Sequence, residues 1–232
     1  MQQISEIASL VTAWLPYILA ALGMTLLLAS GSLVFGLALG GLVAMLQIGG
    51  NRATQALMLT YTTIVRGVPE LIVVYYFYFG LSAGLEALKW LPGVPSVYDL
   101  PVLLLAYCAL AFMTGALAAE LFRTAYSAVP EGEILAARAF GLTGFRQFRR
   151  VLLPHIARYS IPGIGNIWVG LLKNTSLISV MGVNEIMRAT NIAARSSSEP
   201  FTFYFLCAVL YLIIAILSSL VFDLFERRYA CE

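Results

Sequence analysis

The sequence is poor in the residues from which metal centres and nucleophilic sites are built: it holds one histidine and three cysteines in 232 residues. Cys108, Cys207 and Cys231 stand far apart, two of them inside apolar runs, so buried packing is expected rather than a disulfide or a metal cluster. The lone His155 follows Pro154 without a serine or cysteine nucleophile motif beside it. It is read as a structural residue at the inner edge of a membrane, and neither a catalytic residue nor a metal ligand is expected. No GxxxxGK[ST] phosphate loop occurs, so the chain is not expected to bind ATP or to carry a cofactor of its own. Any nucleotide energy has to come from another polypeptide. Charge is also scarce, at 11% against about 25% in soluble domains, and no nucleic-acid footprint is present. Glu6 but no Lys or Arg precedes the first apolar run, so a signal peptide's basic segment is missing and that run is expected to stay as an anchor.

What is abundant is apolar surface: 60% of the residues are hydrophobic and mean hydropathy is +0.87. Residues 16–47, 54–85, 101–126, 156–182 and 200–225 form runs that each meet the roughly 20 residues needed to cross a bilayer. The fold class implied is an all-α membrane protein of five transmembrane helices, a single membrane domain over 1–232. An odd number of crossings puts the termini on opposite sides. Arg52, Arg123, Arg138, Arg146, Arg149, Arg150, Arg158, Arg227 and Arg228 fall on one side, and only Lys89, Arg188 and Arg195 on the other. The basic side is cytoplasmic, so the amino terminus is expected outside and the carboxyl terminus inside. Gly31, Gly36, Gly40 and Gly41 interrupt the first run and offer close helix approach. The expected outer loop 86–100 carries the interfacial anchors Trp90 and Tyr98 and suits a partner on that side.

Between the apolar runs, residues 131–154 are polar and basic and are read as a cytoplasmic docking loop. Pro130 suits the first turn of a short helix, Glu131 and Glu133 its positive end, and Gly141 a left-handed cap. Ile134, Leu135, Ala136, Ala137, Ala139 and Phe140 give that helix an apolar, small-residue surface. Thr143 offers the N-cap of a second helix expected to end near Pro154.

Polar residues within the spans mark the candidate site, because charge at membrane depth is costly and pairs up or faces water. Arg66 and Glu70 bracket Gly67 and Pro69, which weaken the helix where backbone groups then become free. Either an Arg66 to Glu70 or an Arg66 to Glu120 ion pair fits the pattern; an unpaired Glu70 suits a cationic ligand. Glu120 and Arg123 form an i,i+3 pair. Lys173, Asn174, Thr175, Ser176 and Ser179 make the fourth run the most polar one, with groups suited to an α-amino and an α-carboxyl group.

The spacing Leu135-Ala136-Ala137, then Gly141, then Val151-Leu152-Leu153-Pro154 resembles the EAA signature of ABC-importer permeases, with Leu135 where the signature begins with Glu. TYTTIVRGVPEL, AAELFRTAYSAVPEG, RYSIPGIGNIW, LLKNTSLISVMG and FERRY resemble the histidine and opine permeases of that family. The resemblance implies the type I importer permease fold and a bacterial inner-membrane location. It also implies a non-catalytic subunit with Leu135, Ala136, Ala137, Arg138 and Gly141 coupling it to ATPase subunits. By the same resemblance, Lys173 to Ser179 lie beside the substrate pathway. The implied partners are a related second permease subunit, two cytoplasmic ATP-binding subunits and a periplasmic binding protein, within membrane lipid. The implied substrate is a basic L-amino acid or an opine. An ATP-independent carrier or channel is the alternative; inverted halves with matching broken helices are not visible.

Overall fold

The computed structural model describes residues 2–81, 83 and 101–230, and these form helices joined by short turns, with no strand among them. The all-α class is as expected. Helix α1 runs Gln2–Gly49. After Asn51, whose side chain accepts from the Thr54 amide at 2.8 Å, α2 runs Arg52–Gly67 and α3 Glu70–Tyr75, extended by a wide π turn over Tyr76–Gly80. Helix α4 spans Val102–Ser127, α5 Glu131–Ala139 and α6 Gly144–Gln147. A second π turn, Phe148–Leu152, leads into α7, Leu153–Thr175, and a 3-10 turn at Ser176–Met181. Helices α8, Ile186–Ser197, and α9, Pro200–Ala230, complete the chain.

Helices α1 and α4 form the central pair, and their registers rise together, so they run parallel. A Cβ at Gly36 would lie 2.5 Å from that of Thr114, and one at Gly40 2.5 Å from that of Ala118. These glycines let two backbones touch, as their spacing suggested, and α1 runs through them unbroken. Pro16 also lies within α1, as membrane helices allow. Around this seam Leu28, Val74, Leu110, Leu172 and Ile178 close one core, while Ile18, Ile186, Ala189 and Phe203 close a second between α1, α8 and α9.

Three helices are long and apolar enough to cross a membrane, within α1, α4 and α9, and a fourth crossing results if α2 and the α3 segment count together. The polar α7 lies outside that set. The second expected crossing is thus broken, its halves bent by 112°. The helix expected to stop near Pro154 instead continues, because the wide turn at Phe148–Leu152 precedes the proline, whose missing N–H needs no partner at a helix start. Cys207 is buried, but Cys108 is exposed, contrary to the packing expected of it. The loop 86–100 and Cys231 lie outside the described residues.

Candidate functional site

The break between α2 and α3 is written in the sequence. Pro69 disfavours helical backbone at the residue before it, and Val68 is extended, with φ −92° and ψ 138°. The helix therefore stops at Gly67 and restarts at Glu70 in a new direction. This turns Glu70 towards the end of α7, where its Oε1 accepts a hydrogen bond from Asn174 Nδ2 at 3.1 Å. The bond is exposed, and a carboxylate has acceptor capacity beyond one amide. The pair leaves Glu70 able to receive a further donor.

Arg66 does not join this pair. Its Nη1 lies 3.7 Å from Glu120 Oε2, so of the two ion pairs open to it, the structure forms the one that ties α2 to α4. Arg123 binds the same carboxylate, through Nη2 to Oε1 and through Nε to Oε2 at 3.4 Å. Glu120 is thus shared between two guanidinium groups, in a network separate from Glu70.

The polar end of α7 divides by direction, since neighbouring helix residues point about 100° apart. Asn174 faces α3. Thr175 is fully buried and donates to the Leu172 carbonyl at 2.6 Å. Ser176 donates to the Lys173 carbonyl at 2.7 Å. Lys173 and Ser176 line a cavity of about 300 Å3 with Met187, Tyr204 and Tyr211, and Lys173 makes no ion pair among the described residues. Ser179 contributes its carbonyl, which accepts from Arg188 Nη1 at 3.3 Å. The 3-10 turn then ends at Gly182, with φ 92°.

At the opposite end of the bundle, α5 is a short, firmly terminated rod. Pro130 precedes it, Glu131 and Glu133 occupy its first turn, and Gly141 adopts φ 75°. The Gly141 amide donates to Arg138 O and the Leu142 amide to Ala137 O, both at 2.9 Å, the paired bonds of a Schellman cap. Ala137 is buried, whereas Leu135 and Phe140 are 60% and 86% exposed. Ala136 and Arg138 are exposed as well. Two contacts fix the rod to α6 and α7: Gln147 Nε2 donates to Ile134 O at 3.0 Å, and His155 Nε2 lies 2.5 Å from Glu133 Oε2. The N-cap expected at Thr143 is present in backbone but makes no side-chain bond.

One polar centre escaped the sequence reading. Glu185 is wholly buried; its carboxylate accepts from the Met187 and Arg188 amides, each at 2.8 Å, and from the Tyr211 hydroxyl at 2.9 Å. It caps α8 and ties it to α9 through Tyr211, which lines the Lys173 cavity. The signal was available: a carboxylate precedes Ile186, Ala189, Thr190, Ala193 and Ala194, an amphipathic helical spacing.

Residues 36–230 match the family model described as binding-protein-dependent transport system inner membrane component. The chain is similar to the octopine transport system permease protein OccQ of Rhizobium meliloti, with 39% identity covering 93% of this chain and 91% of that protein. It is 38% identical to the histidine/lysine/arginine/ornithine transport system permease protein HisQ of Escherichia coli (strain K12), over 89% of this chain and 90% of that one. Among solved structures it is similar to a chain of an amino acid ABC transporter crystallised with histidines, with a TM-score of 0.81 and 26% identity, covering 94% of this chain and 96% of that one. A chain of the inward-facing MetNI methionine ABC transporter shares the fold, with a TM-score of 0.66 and 20% identity over 93% and 95% of the two chains.

Proposed function

The chain belongs to the family of binding-protein-dependent transport system inner membrane components, and from that premise we propose that it is the permease subunit of an ATP-driven importer of basic amino acids or opines. The transport systems named for its relatives, octopine and histidine/lysine/arginine/ornithine, support that substrate class. The proposed assembly has a related second permease subunit, two cytoplasmic ATP-binding subunits and a periplasmic binding protein. Helix α9 has only 6% of its most apolar window buried within this chain, which leaves a face for lipid and for a second permease subunit. The arginines around α5 and α6 support an amino terminus outside and a carboxyl terminus inside. With that orientation the chain crosses the inner membrane five times as one domain, and 131–154 is its coupling loop.

The observation that carries the reading is the rod α5 itself, pinned at one side through Ala137, Gln147 and His155 and offering Leu135 and Phe140 outward. A partner cleft closing on those side chains moves α5, and the contacts to Gln147 and His155 pass that movement to the start of α7. Asn174, in the last turn of α7, holds Glu70, so both ends of one element serve the two proposed sites. Glu70 is proposed to receive the cationic group of the substrate, with Asn174 orienting it and Lys173 and Ser176 offering donors for a carboxylate. Arg66 and Glu120, first considered for substrate contact, are proposed to hold α2 against α4, and Thr175 to belong to the core. Ser179 is proposed to act through its backbone.

Reconstitution tests the proposal against an ATP-independent carrier. Purified chain alone in vesicles is expected to move no arginine, histidine or opine down an imposed ion gradient. Addition of the ATP-binding and second permease subunits with the binding protein restores ATP-dependent uptake. Gradient-driven uptake by the chain alone would establish the carrier instead.

A further inference from the structure

A groove of about 610 Å3 opens between the last turns of α1, the end of α4 and the start of α7, within the roughly 300–1,000 Å3 range of small-molecule sites. It is lined in part by residues 145–153 of the loop that carries α5, but by none of α5 itself and by neither Glu70 nor Asn174. Its lining is apolar, including Met45, Ile48, Phe122, Phe145, Phe148 and Leu152. The floor at Ala44 is buried, while Phe145 stands 74% exposed, so the groove is open along one side. Two glycines keep it open: a Cβ at Gly49 would meet nothing within 4 Å, and one at Gly41 only Phe122, at 3.9 Å.

The charge beside it has one sign. Arg52 follows Gly49 by three residues, and Arg146, Arg149 and Arg150 interleave with the lining residues Phe145, Phe148 and Leu152. All four are exposed, and none forms an ion pair among the described residues. Neither 41–61 nor 141–160 contains an Asp or Glu. On the neighbouring elements, Glu120 is taken by Arg66 and Arg123, and Glu133 by His155. An apolar channel whose lining residues alternate in sequence with exposed, unpaired arginines, where the apolar helices α1 and α4 end and Glu131 is the one neighbouring carboxylate without an ion pair among the described residues, matches a hydrocarbon chain attached to an anionic phosphate.

We propose that this groove holds an acyl chain of an anionic glycerophospholipid whose phosphate rests against Arg146 and Arg149. The lipid then fills the space between α1, α4 and the start of α7, stiffening the base on which α5 stands. An acidic surface of a protein partner would satisfy the arginines but would leave the apolar channel empty.

Native mass spectrometry of the purified full-length chain in detergent, with phosphatidylglycerol or phosphatidylcholine of identical acyl chains, separates these. Wild type is expected to retain phosphatidylglycerol on the order of tenfold more tightly. In the double variant Arg146→Gln, Arg149→Gln, both exposed positions, phosphatidylglycerol falls to the level of phosphatidylcholine. Gly49→Leu, which fills the channel, weakens both lipids, and Gly41→Leu does the same if the first variant folds poorly by circular dichroism. Equal retention of the two lipids by wild type, or undiminished retention in both channel-filling variants, overturns the proposal. So does a double arginine variant that keeps its lipid preference and loses only binding of the ATP-binding subunit.

Discussion

Glu70 and Asn174, 104 residues apart in the chain, meet at 3.1 Å because one helix breaks in front of the first and another narrows into a 3-10 turn just after the second. Neither helix end is a passive terminus. The break at Val68 and Pro69 redirects Glu70, and Asn174 receives it at the last full turn of α7.

Their bond makes a substrate effect separable from a structural one. Glu70→Gln keeps an oxygen that accepts from Asn174 but removes the charge. It is expected to lower uptake of a cationic substrate about tenfold and of a neutral one by much less, the scale of one charge-assisted hydrogen bond. Asn174→Ala, combined with Glu70→Ala in a double-mutant cycle of kcat/KM, should give about 1 kcal/mol of non-additivity, as groups in direct contact do. Equal loss for cationic and neutral substrates, or full additivity, would assign both residues to structure.

The seam of α1 and α4 leaves no room for a larger residue at Gly40, where an added Cβ would also lie 2.8 Å from the Ala119 amide nitrogen. Backbone cannot withdraw as a flexible side chain can. Gly40→Leu is expected to destabilise the protein by at least about 1–3 kcal/mol, read as a lower thermal unfolding temperature in detergent. Gly23→Leu, with nothing within 4 Å of the added Cβ, serves as the control and should leave that temperature nearly unchanged.

Much of the fold was legible in the sequence, and the failures have a common origin. The run 101–126, within one residue of α4, and the rod closed by Gly141 are legible because hydropathy and capping are local properties. The glycines of α1 are legible as a surface for close helix approach, but the helix they meet, at Thr114 and Ala118, lies more than seventy residues away and is not. Pro154 was misread as a stop because the wide turn ahead of it has no sequence signature. Helix α8 does not stand out as an apolar run, since its spacing is amphipathic. At the site, the kink at Pro69 was visible from chemistry alone. The choice of Glu120 over Glu70 for Arg66, and the splitting of Lys173 from Asn174, depend on packing that no single segment specifies.

Glu185 provides a test of the element the sequence concealed. Removing its carboxylate orphans the Met187 and Arg188 amides and the Tyr211 hydroxyl. Glu185→Ala is expected to cost about 2–4 kcal/mol, from lost capping and unpaired buried donors, seen in thermal unfolding. Glu185→Gln keeps one good acceptor and should cost clearly less. Equal losses would mean that the retained amide oxygen does not replace the carboxylate as acceptor, against hydrogen bonding to that oxygen as what holds α8 to α9.

The central claim is that α5 transmits nucleotide-driven motion to the membrane helices, and Gly141 is its most exacting point. At φ 75° proline cannot adopt the required backbone, so Gly141→Pro dissolves the cap while leaving the spans untouched. The decisive measurement is ATP hydrolysis and substrate uptake recorded together in proteoliposomes of the complete transporter. Hydrolysis that continues while uptake falls at least about tenfold is the predicted result. Uptake at the wild-type rate per ATP hydrolysed would contradict the account.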